Sequence, residues 1–243
     1  MSGSPPAPEF SLVLPFFNEE AGAAGTVSGL SAALRGAGFP YELVLVDNGS
    51  TDLTGGVLAR CAEEDACCRV VRVPVNEGYG WGILNGLSRA RGRFVGYMAA
   101  DGQIAPSDML RVFGELRSGS CRVAKVERVR RHDGPCRKVV SAVYNSAFRL
   151  LFGTPARDVN GTPKMLLRED LETLGLASKD WFIDAELMLK ASALGWKVAQ
   201  VGVEFLPRRT GSSKVRMSAI FEFMINMARC RLGGGMHPWK TSR

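Results

Sequence analysis

Phe94-Val95-Gly96-Tyr97-Met98-Ala99-Ala100-Asp101-Gly102-Gln103 is an apolar run that stops abruptly at a lone acid, a glycine and an amide. The run reads as a buried strand and the polar stop as the loop beyond its carboxyl end. Hard cations such as Mg²⁺ and Mn²⁺ take oxygen ligands, and one or two protein oxygens suffice where phosphate oxygens and water complete the shell. Asp101 and Gln103, two residues apart, present two such oxygens. An acid after a strand also serves as a turn former or helix cap, so the segment takes its meaning from its surroundings.

Upstream, short β-branched runs alternate with amphipathic stretches, the pattern of a parallel sheet with crossover helices. Strands are expected at Phe10–Pro15, Glu42–Val46, Val70–Val73 and Arg93–Met98, and helices at Glu20–Arg35, Asp52–Glu64 and Gly80–Arg91. In such sheets ligands bind beyond the carboxyl ends of the strands. The polar clusters Asn18-Glu19, Asp47–Asp52, Asn76-Glu77 and Asp101–Gln103 all follow expected strands and should converge on one edge. Downstream the pattern loosens: an Arg-rich loop near 127–137, a helix near 138–152, a loop through Asp158 and Asn160, a helix over about 182–194 and a strand at Lys197–Val203.

At 243 residues and 46% apolar content, the chain is long enough for one large α/β domain. The expected division is a disordered leader over 1–8, a single domain over 9–214 and an amphipathic helix and tail over 215–243. The last segment carries Met217, Ile220, Phe221, Met224, Ile225 and Met227 with basic residues near its ends, and fits either a membrane interface or core packing. No run of eighteen or more apolar residues is present, and Met1-Ser2-Gly3-Ser4-Pro5-Pro6 has neither a basic nor an apolar signal region, so a cytoplasmic location is expected. The six cysteines lack C-x-x-C spacing, which argues against zinc and for reduced thiols. A net charge of +7 implies an anionic partner. The arginines gather at Arg128–Arg137 and Arg208–Arg216 without interleaved aromatics, which favours phosphate or anionic lipid over nucleic acid.

The ordered series Val13-Leu14-Pro15-Phe16-Phe17-Asn18-Glu19-Glu20, Val46-Asp47-Asn48-Gly49-Ser50-Thr51-Asp52 and Ala100-Asp101-Gly102-Gln103 resembles the signature of family 2 glycosyltransferases with the GT-A fold. Arg137-x-x-x-Ser141, Asp158-Val159-Asn160 and Arg208-x-x-Gly211-x-Ser213-Lys214 bring it closest to dolichyl- or polyprenyl-phosphate sugar synthases. The resemblance implies a mostly parallel sheet flanked by helices and an inverting transfer of a hexose from a GDP- or UDP-sugar to a polyprenyl phosphate. Two departures stand out: Phe17 replaces the more usual tyrosine, and Ala99 occupies the first position of the usual Asp-x-Asp.

The resemblance also assigns residues. Pro15, Phe17 and Glu19 match positions that wall the nucleobase, and Asp47 and Asn48 match nucleotide contacts, while an ordinary Asx turn is the alternative for the latter pair; Asp52 is read as a helix cap. Gly78, in Gly78-Tyr79-Gly80-Trp81-Gly82, serves either a structural turn or a ligand cradle. Asp101 and Gln103 are the candidate ligands of Mg²⁺ or Mn²⁺. Arg208 and Lys214 match a basic loop suited to stabilising a departing diphosphate, and Arg128, Arg137 and Ser213 are candidates for holding an acceptor phosphate. Asp184 and Glu186 fall where family members place an acidic catalytic motif; on one helix they would point about 200° apart. A hydroxyl acceptor needs a base within hydrogen-bond reach, whereas a phosphomonoester is already mostly ionised at pH 7. Two rivals remain open: transfer to a soluble hydroxyl acceptor with Asp184 or Glu186 as base, and a non-catalytic nucleotide-sugar binding module, prompted by Ala99.

Overall fold

Phe10–Phe16 (β1) buries every residue except Pro15, as expected of a strand covered on both faces. It lies between Tyr41–Asn48 (β2) and Phe94–Tyr97 (β4), parallel to both, and Cys68–Val73 (β3) extends the sheet beyond β2. The helices Ala23–Gly36 (α1), Thr54–Glu64 (α2) and Tyr79–Leu87 (α3) make the crossovers. Pro106–Arg117 (α4) leads into Val123–Arg131 (β5), and Lys164–Leu167 (β6) runs antiparallel between β4 and β5. Arg168–Leu174 (α5), Ile183–Ala193 (α6) and Val198–Phe205 (β7) follow, with β7 parallel to β5. These come from a computed structural model that describes residues 7–131, 144–146, 148–153, 157–207 and 225, with helical residues also at 144–146 and 148–152. The seven strands form one sheet in the order β3-β2-β1-β4-β6-β5-β7.

Strand alternation divides the core between two faces. Phe10, Leu12, Leu14 and Phe16 pack with α1 and α4, where Phe10 stacks on Phe113 at 4.4 Å. Val13, Val44, Val46, Val95 and Tyr97 pack on the other side with Ile83 of α3 and Leu187 of α6. The single mostly parallel α/β domain agrees with the expectation, and the first four strands and three helices lie where alternation placed them, within a few residues.

The second half departs from it. The alternation includes nothing at α4, although Met109, Val112, Phe113 and Leu116 recur at helical spacing and all are buried. Residues 127–131 belong to β5 rather than to a loop, because the ladder with β7 continues through a bulge between Arg128 and Arg130. The four residues of β6 are too few to show a period, and α3 stops at Leu87, before Arg91.

At the amino-terminal rim, Glu42 is a buried acid that accepts from Ser11 Oγ and the Arg91 N–H, both at 2.6 Å, and pairs with Arg91 at 3.0 Å and Arg69 at 3.4 Å. Burial pushes its pKa up, but these hydrogen bonds and the Arg69 charge outweigh it and leave the carboxyl below its ordinary value. A lowered folded pKa contributes stability that is present above the unfolded value of about 4.3 and is lost as pH falls through the folded one. Glu42→Gln is therefore expected to destabilise by about 1–3 kcal/mol at pH 7. Urea unfolding should show the gap to the wild type narrowing toward pH 3.

Candidate active site

The neighbouring parallel strands β1 and β4 end at one rim of the sheet, the edge beyond which open α/β sheets bind ligands in a crevice, and both run on into helices of the same face, α1 and α4. Pro15, Phe17 and Glu19 stand half-buried at the end of β1 and Asp101 half-buried beyond β4. Hydrogen bonds lace the loop after β1 to that after β2: Asn18, at φ 51°, accepts from the Thr51 N–H at 2.8 Å, and the Glu19 N–H donates to Thr54 Oγ1 at 2.8 Å. Asp52 accepts from the Thr54 N–H at 2.9 Å just ahead of α2, whose N-cap position is Leu53 rather than the expected Asp52. Thr26 of α1 reaches the Ala100 carbonyl at 3.4 Å and ties the Asp101 loop to the same rim. The clusters after β1, β2 and β4 therefore do converge.

Within this rim several side chains hold the frame. Asp47 Oδ1 accepts from the Ser50 N–H at 3.1 Å, the Asx turn that was its alternative reading. Asn48 is buried, and its Nδ2 donates to the Gly78 carbonyl at 2.9 Å; its Oδ1 has no partner among the described residues. Gly78 sits at φ 128°, and a Cβ there would lie 2.4 Å from the Lys179 carbonyl; one on Gly80 would lie 2.2 Å from that of Ser178. The glycines thus let the 178–180 segment dock on this turn, and Trp81 N–H donates to Lys179 O at 2.8 Å. Tyr79 stacks on Trp181 at 4.4 Å. Burial, with the charges of Asp184 and Asp101, pushes the Tyr79 hydroxyl well above its ordinary pKa.

Behind the rim lies a layer of buried charge. Lys164 Nζ meets Asp184 Oδ1 at 2.5 Å, the Tyr97 hydroxyl donates to the same oxygen at 2.9 Å, and Lys164 is fully buried. Burial drives the Lys164 pKa down, and Asp184 opposes it. Arg128 grips Asp158 with two bonds of 2.7 Å and lies over the Phe205 ring at 5.2 Å. Burial raises the Asp158 pKa, but the Arg128 fork and the Lys125 charge hold it well below the carboxylate range. Lys125, also fully buried, donates to the Val126 carbonyl at 2.6 Å, and burial brings its pKa down to about 7. Glu186 accepts from the N–H groups of Ala177 at 3.0 Å and Ser178 at 2.8 Å and pairs with Lys190 at 2.7 Å.

A family model described as glycosyl transferase family 2 matches residues 11–175. The chain belongs to glycosyl transferase family 2. It is 29% identical over 239 residues to an undecaprenyl-phosphate 4-deoxy-4-formamido-L-arabinose transferase of Pseudomonas paraeruginosa, covering 93% of this chain and 69% of that protein. It is 30% identical over 207 residues to an uncharacterized glycosyltransferase of Mycobacterium bovis, covering 84% and 88%. A glucosyl-3-phosphoglycerate synthase from Mycobacterium tuberculosis, solved with Mn²⁺, UDP and glucosyl-3-phosphoglycerate, superposes with a TM-score of 0.73 at 22% identity over 95% of this chain and 82% of that one, a likeness of fold.

In this glycosyltransferase four of the expected site residues have partners within the protein. Asn48 is buried between β2 and the turn at Gly78, with its Nδ2 on the Gly78 carbonyl. The Lys179 carbonyl lies close beside Gly78. Arg128 holds the Asp158 carboxylate with its fork. Asp184 is held by a buried lysine and a tyrosine, whereas Glu186, two residues on, takes backbone N–H groups of another segment. Gln103 turns its amide nitrogen to the Leu206 carbonyl at 2.9 Å. Arg137, Arg208, Ser213, Lys214 and the segment 215–231, except Ile225, lie outside the described residues. Tyr79, Tyr97, Lys125, Lys164 and Trp181 were missed; a lysine inside an apolar run, as in Val123–Val126, is the signal that could have found one of them.

No group of three or more His, Cys, Asp or Glu among the described residues could enclose a metal. A lone carboxylate oxygen donor such as Asp101 fits a hard cation that carries phosphate oxygens and water as its other ligands. No helix among the described residues is long and apolar enough to cross a membrane.

Breaking a buried pair leaves an uncompensated charge, so Lys164→Met and Asp184→Leu should each destabilise by about 3–5 kcal/mol. The double variant should recover most of that loss, and chemical denaturation of all three checks it. Lys125 titrates lower in the folded protein than in the unfolded chain, where it lies near 10.4. Between about pH 7 and 10 the unfolded chain binds the extra proton, so stability from this group rises with pH. Lys125→Met should therefore stabilise most below pH 7 and least near pH 10, read as melting temperature against pH.

Proposed function

We propose that this glycosyltransferase moves a hexose from a nucleotide diphosphate sugar to a polyprenyl phosphate, inverting the anomeric centre by in-line attack of a phosphate oxygen. The observation that carries the reading is the commitment of Asp184 to Lys164 and Tyr97 and of Glu186 to backbone N–H groups. With both acids of α6 engaged, the motif offers no general base for a hydroxyl. An ionised phosphate acceptor needs none. The undecaprenyl-phosphate transferases among its relatives support the same acceptor class.

Catalysis is then chiefly positioning and charge stabilisation. The crevice between β1 and β4 receives the donor, with Pro15, Phe17, Glu19 and Asp47 on the nucleoside side and Asp101 at the diphosphate. Mg²⁺ or Mn²⁺ held by Asp101, when bound, neutralises charge on the diphosphate. Arg208 and Lys214 stabilise the leaving nucleotide, and Arg137 and Ser213 receive the acceptor phosphate. Because the acceptor's lipid is membrane-borne, the enzyme works at the cytoplasmic membrane surface.

The test combines UDP- and GDP-sugars, Mn²⁺ and a short-chain polyprenyl phosphate with the purified protein. Product is expected with one donor class, and Asp101→Ala should lower turnover by about 100-fold or more at unchanged melting temperature. Full activity of that variant, or transfer to hydroxyl acceptors alone, would reject the assignment.

A further inference from the structure

Trp181 is a half-buried indole on the segment that leads into α6, three residues ahead of Asp184, whose carboxylate meets Tyr97 at the end of β4. Its ring stacks on Tyr79, with centroids 4.4 Å apart and planes 15° from parallel, so one face of the indole is covered within the protein. Tyr79 opens α3 directly after Gly78, whose carbonyl takes Asn48 Nδ2 at the end of β2. The two rings therefore stand at the carboxyl rim of the sheet, and the Asp101 charge helps to raise the Tyr79 hydroxyl's pKa. The loop that carries Phe17 and Glu19 runs into α1 on one face of the sheet, whereas Tyr79 packs on the other face with Ile83 and Phe182.

The backbone on either side of Trp181 is held from several directions. Asp180 Oδ1 accepts from the Phe182 N–H at 2.8 Å, the Lys179 carbonyl from the Trp81 N–H at 2.8 Å, and Glu186 from the Ser178 N–H at 2.8 Å. Phe182 and Ile183 fill the core behind, while Trp181 keeps part of its surface open. A large rigid ring, stacked on one side and open at a ligand rim, is suited to receive the apolar face of a ligand whose orientation a few polar groups fix. Of a nucleotide sugar bound in the crevice, the hexose offers such a face away from the nucleoside, because its ring C–H groups line the flat sides and its hydroxyls project from the edge.

We propose that Trp181 is a substrate-binding residue whose indole, backed by Tyr79, receives the apolar face of the donor's hexose, so that it reads the sugar and not the nucleotide. The inference rests on the donor crevice proposed above and names the part of the donor that this wall recognises. Trp181→Leu keeps an apolar side chain against Tyr79 and removes the aromatic face. Trp181→Phe keeps a smaller aromatic face.

Isothermal titration calorimetry with Mn²⁺ compares UDP-glucose and GDP-mannose with UDP and GDP for the purified wild type and both variants, with melting temperatures and with turnover on a short-chain polyprenyl phosphate. Trp181→Leu is expected to bind the nucleotide sugar about 3- to 10-fold more weakly than the wild type, with the matching nucleoside diphosphate within about twofold, and Trp181→Phe should recover most of the loss. Wild-type affinity of Trp181→Leu for the nucleotide sugar would overturn the proposal. Equal weakening of nucleotide and nucleotide sugar, with a lowered melting temperature, would reduce the ring to packing and overturn it too. Unchanged donor affinity with a raised KM for the polyprenyl phosphate would move the ring to the acceptor and also overturn it. A wild-type protein that binds none of the four nucleotides would remove the donor crevice itself, a failure distinguishable from the other three.

Discussion

The parallel pairing of β1 with β4, from Phe10 opposite Phe94 to Val13 opposite Tyr97, is the constraint from which the site follows. It puts the carboxyl ends of two strands that are distant in sequence side by side, at the edge where open α/β sheets bind ligands in a crevice. The chain runs from both ends into helices of one face, α1 and α4, and Thr26 of α1 reaches the Ala100 carbonyl. Because β1 and β4 are covered on both faces, slipping either strand by one residue would carry its apolar side chains to the wrong face. The register that stabilises the core is therefore the same register that brings the loops after β1 and β4 to one rim.

Beneath this crevice the protein buries Lys125, Lys164, Asp158 and Asp184. Two carboxylates and two lysines, with Arg128 beside them, are a poor source of stability, because desolvation offsets much of the attraction. They do confine the chemistry. An acid held by a buried ammonium and a phenol is fixed in place by both partners. That contact binds β4 and α6 together through Tyr97 and Asp184.

The glycine-rich turn after β3 shows how one motif can serve packing in place of binding. Gly78 and Gly80 each admit a backbone carbonyl from the 178–180 segment at a distance that any side chain would forbid. The docked segment is itself held by Glu186, whose carboxylate takes the N–H groups of Ala177 and Ser178. Thus a glycine pattern, an acid on α6 and the stacked Tyr79 and Trp181 rings form one joint between the two halves of the chain.

The sequence by itself determined the alternating α/β order of the first half, the polar ends of its strands and the family, since apolar runs, caps and ordered motifs are local properties. It also carried the period of α4, in Met109, Val112, Phe113 and Leu116, though a four-residue strand such as β6 offers no period to read. Only the tertiary structure decided which polar residues face the crevice. Asn48, Arg128 and Asp184 resemble ligand-binding residues in a one-dimensional pattern, yet each is captured by a partner from a distant or adjoining element: Gly78, Asp158 and Lys164. A polar side chain removed from water must find its hydrogen bonds within the protein, and which partner lies within reach depends on packing that brings together residues far apart in the chain.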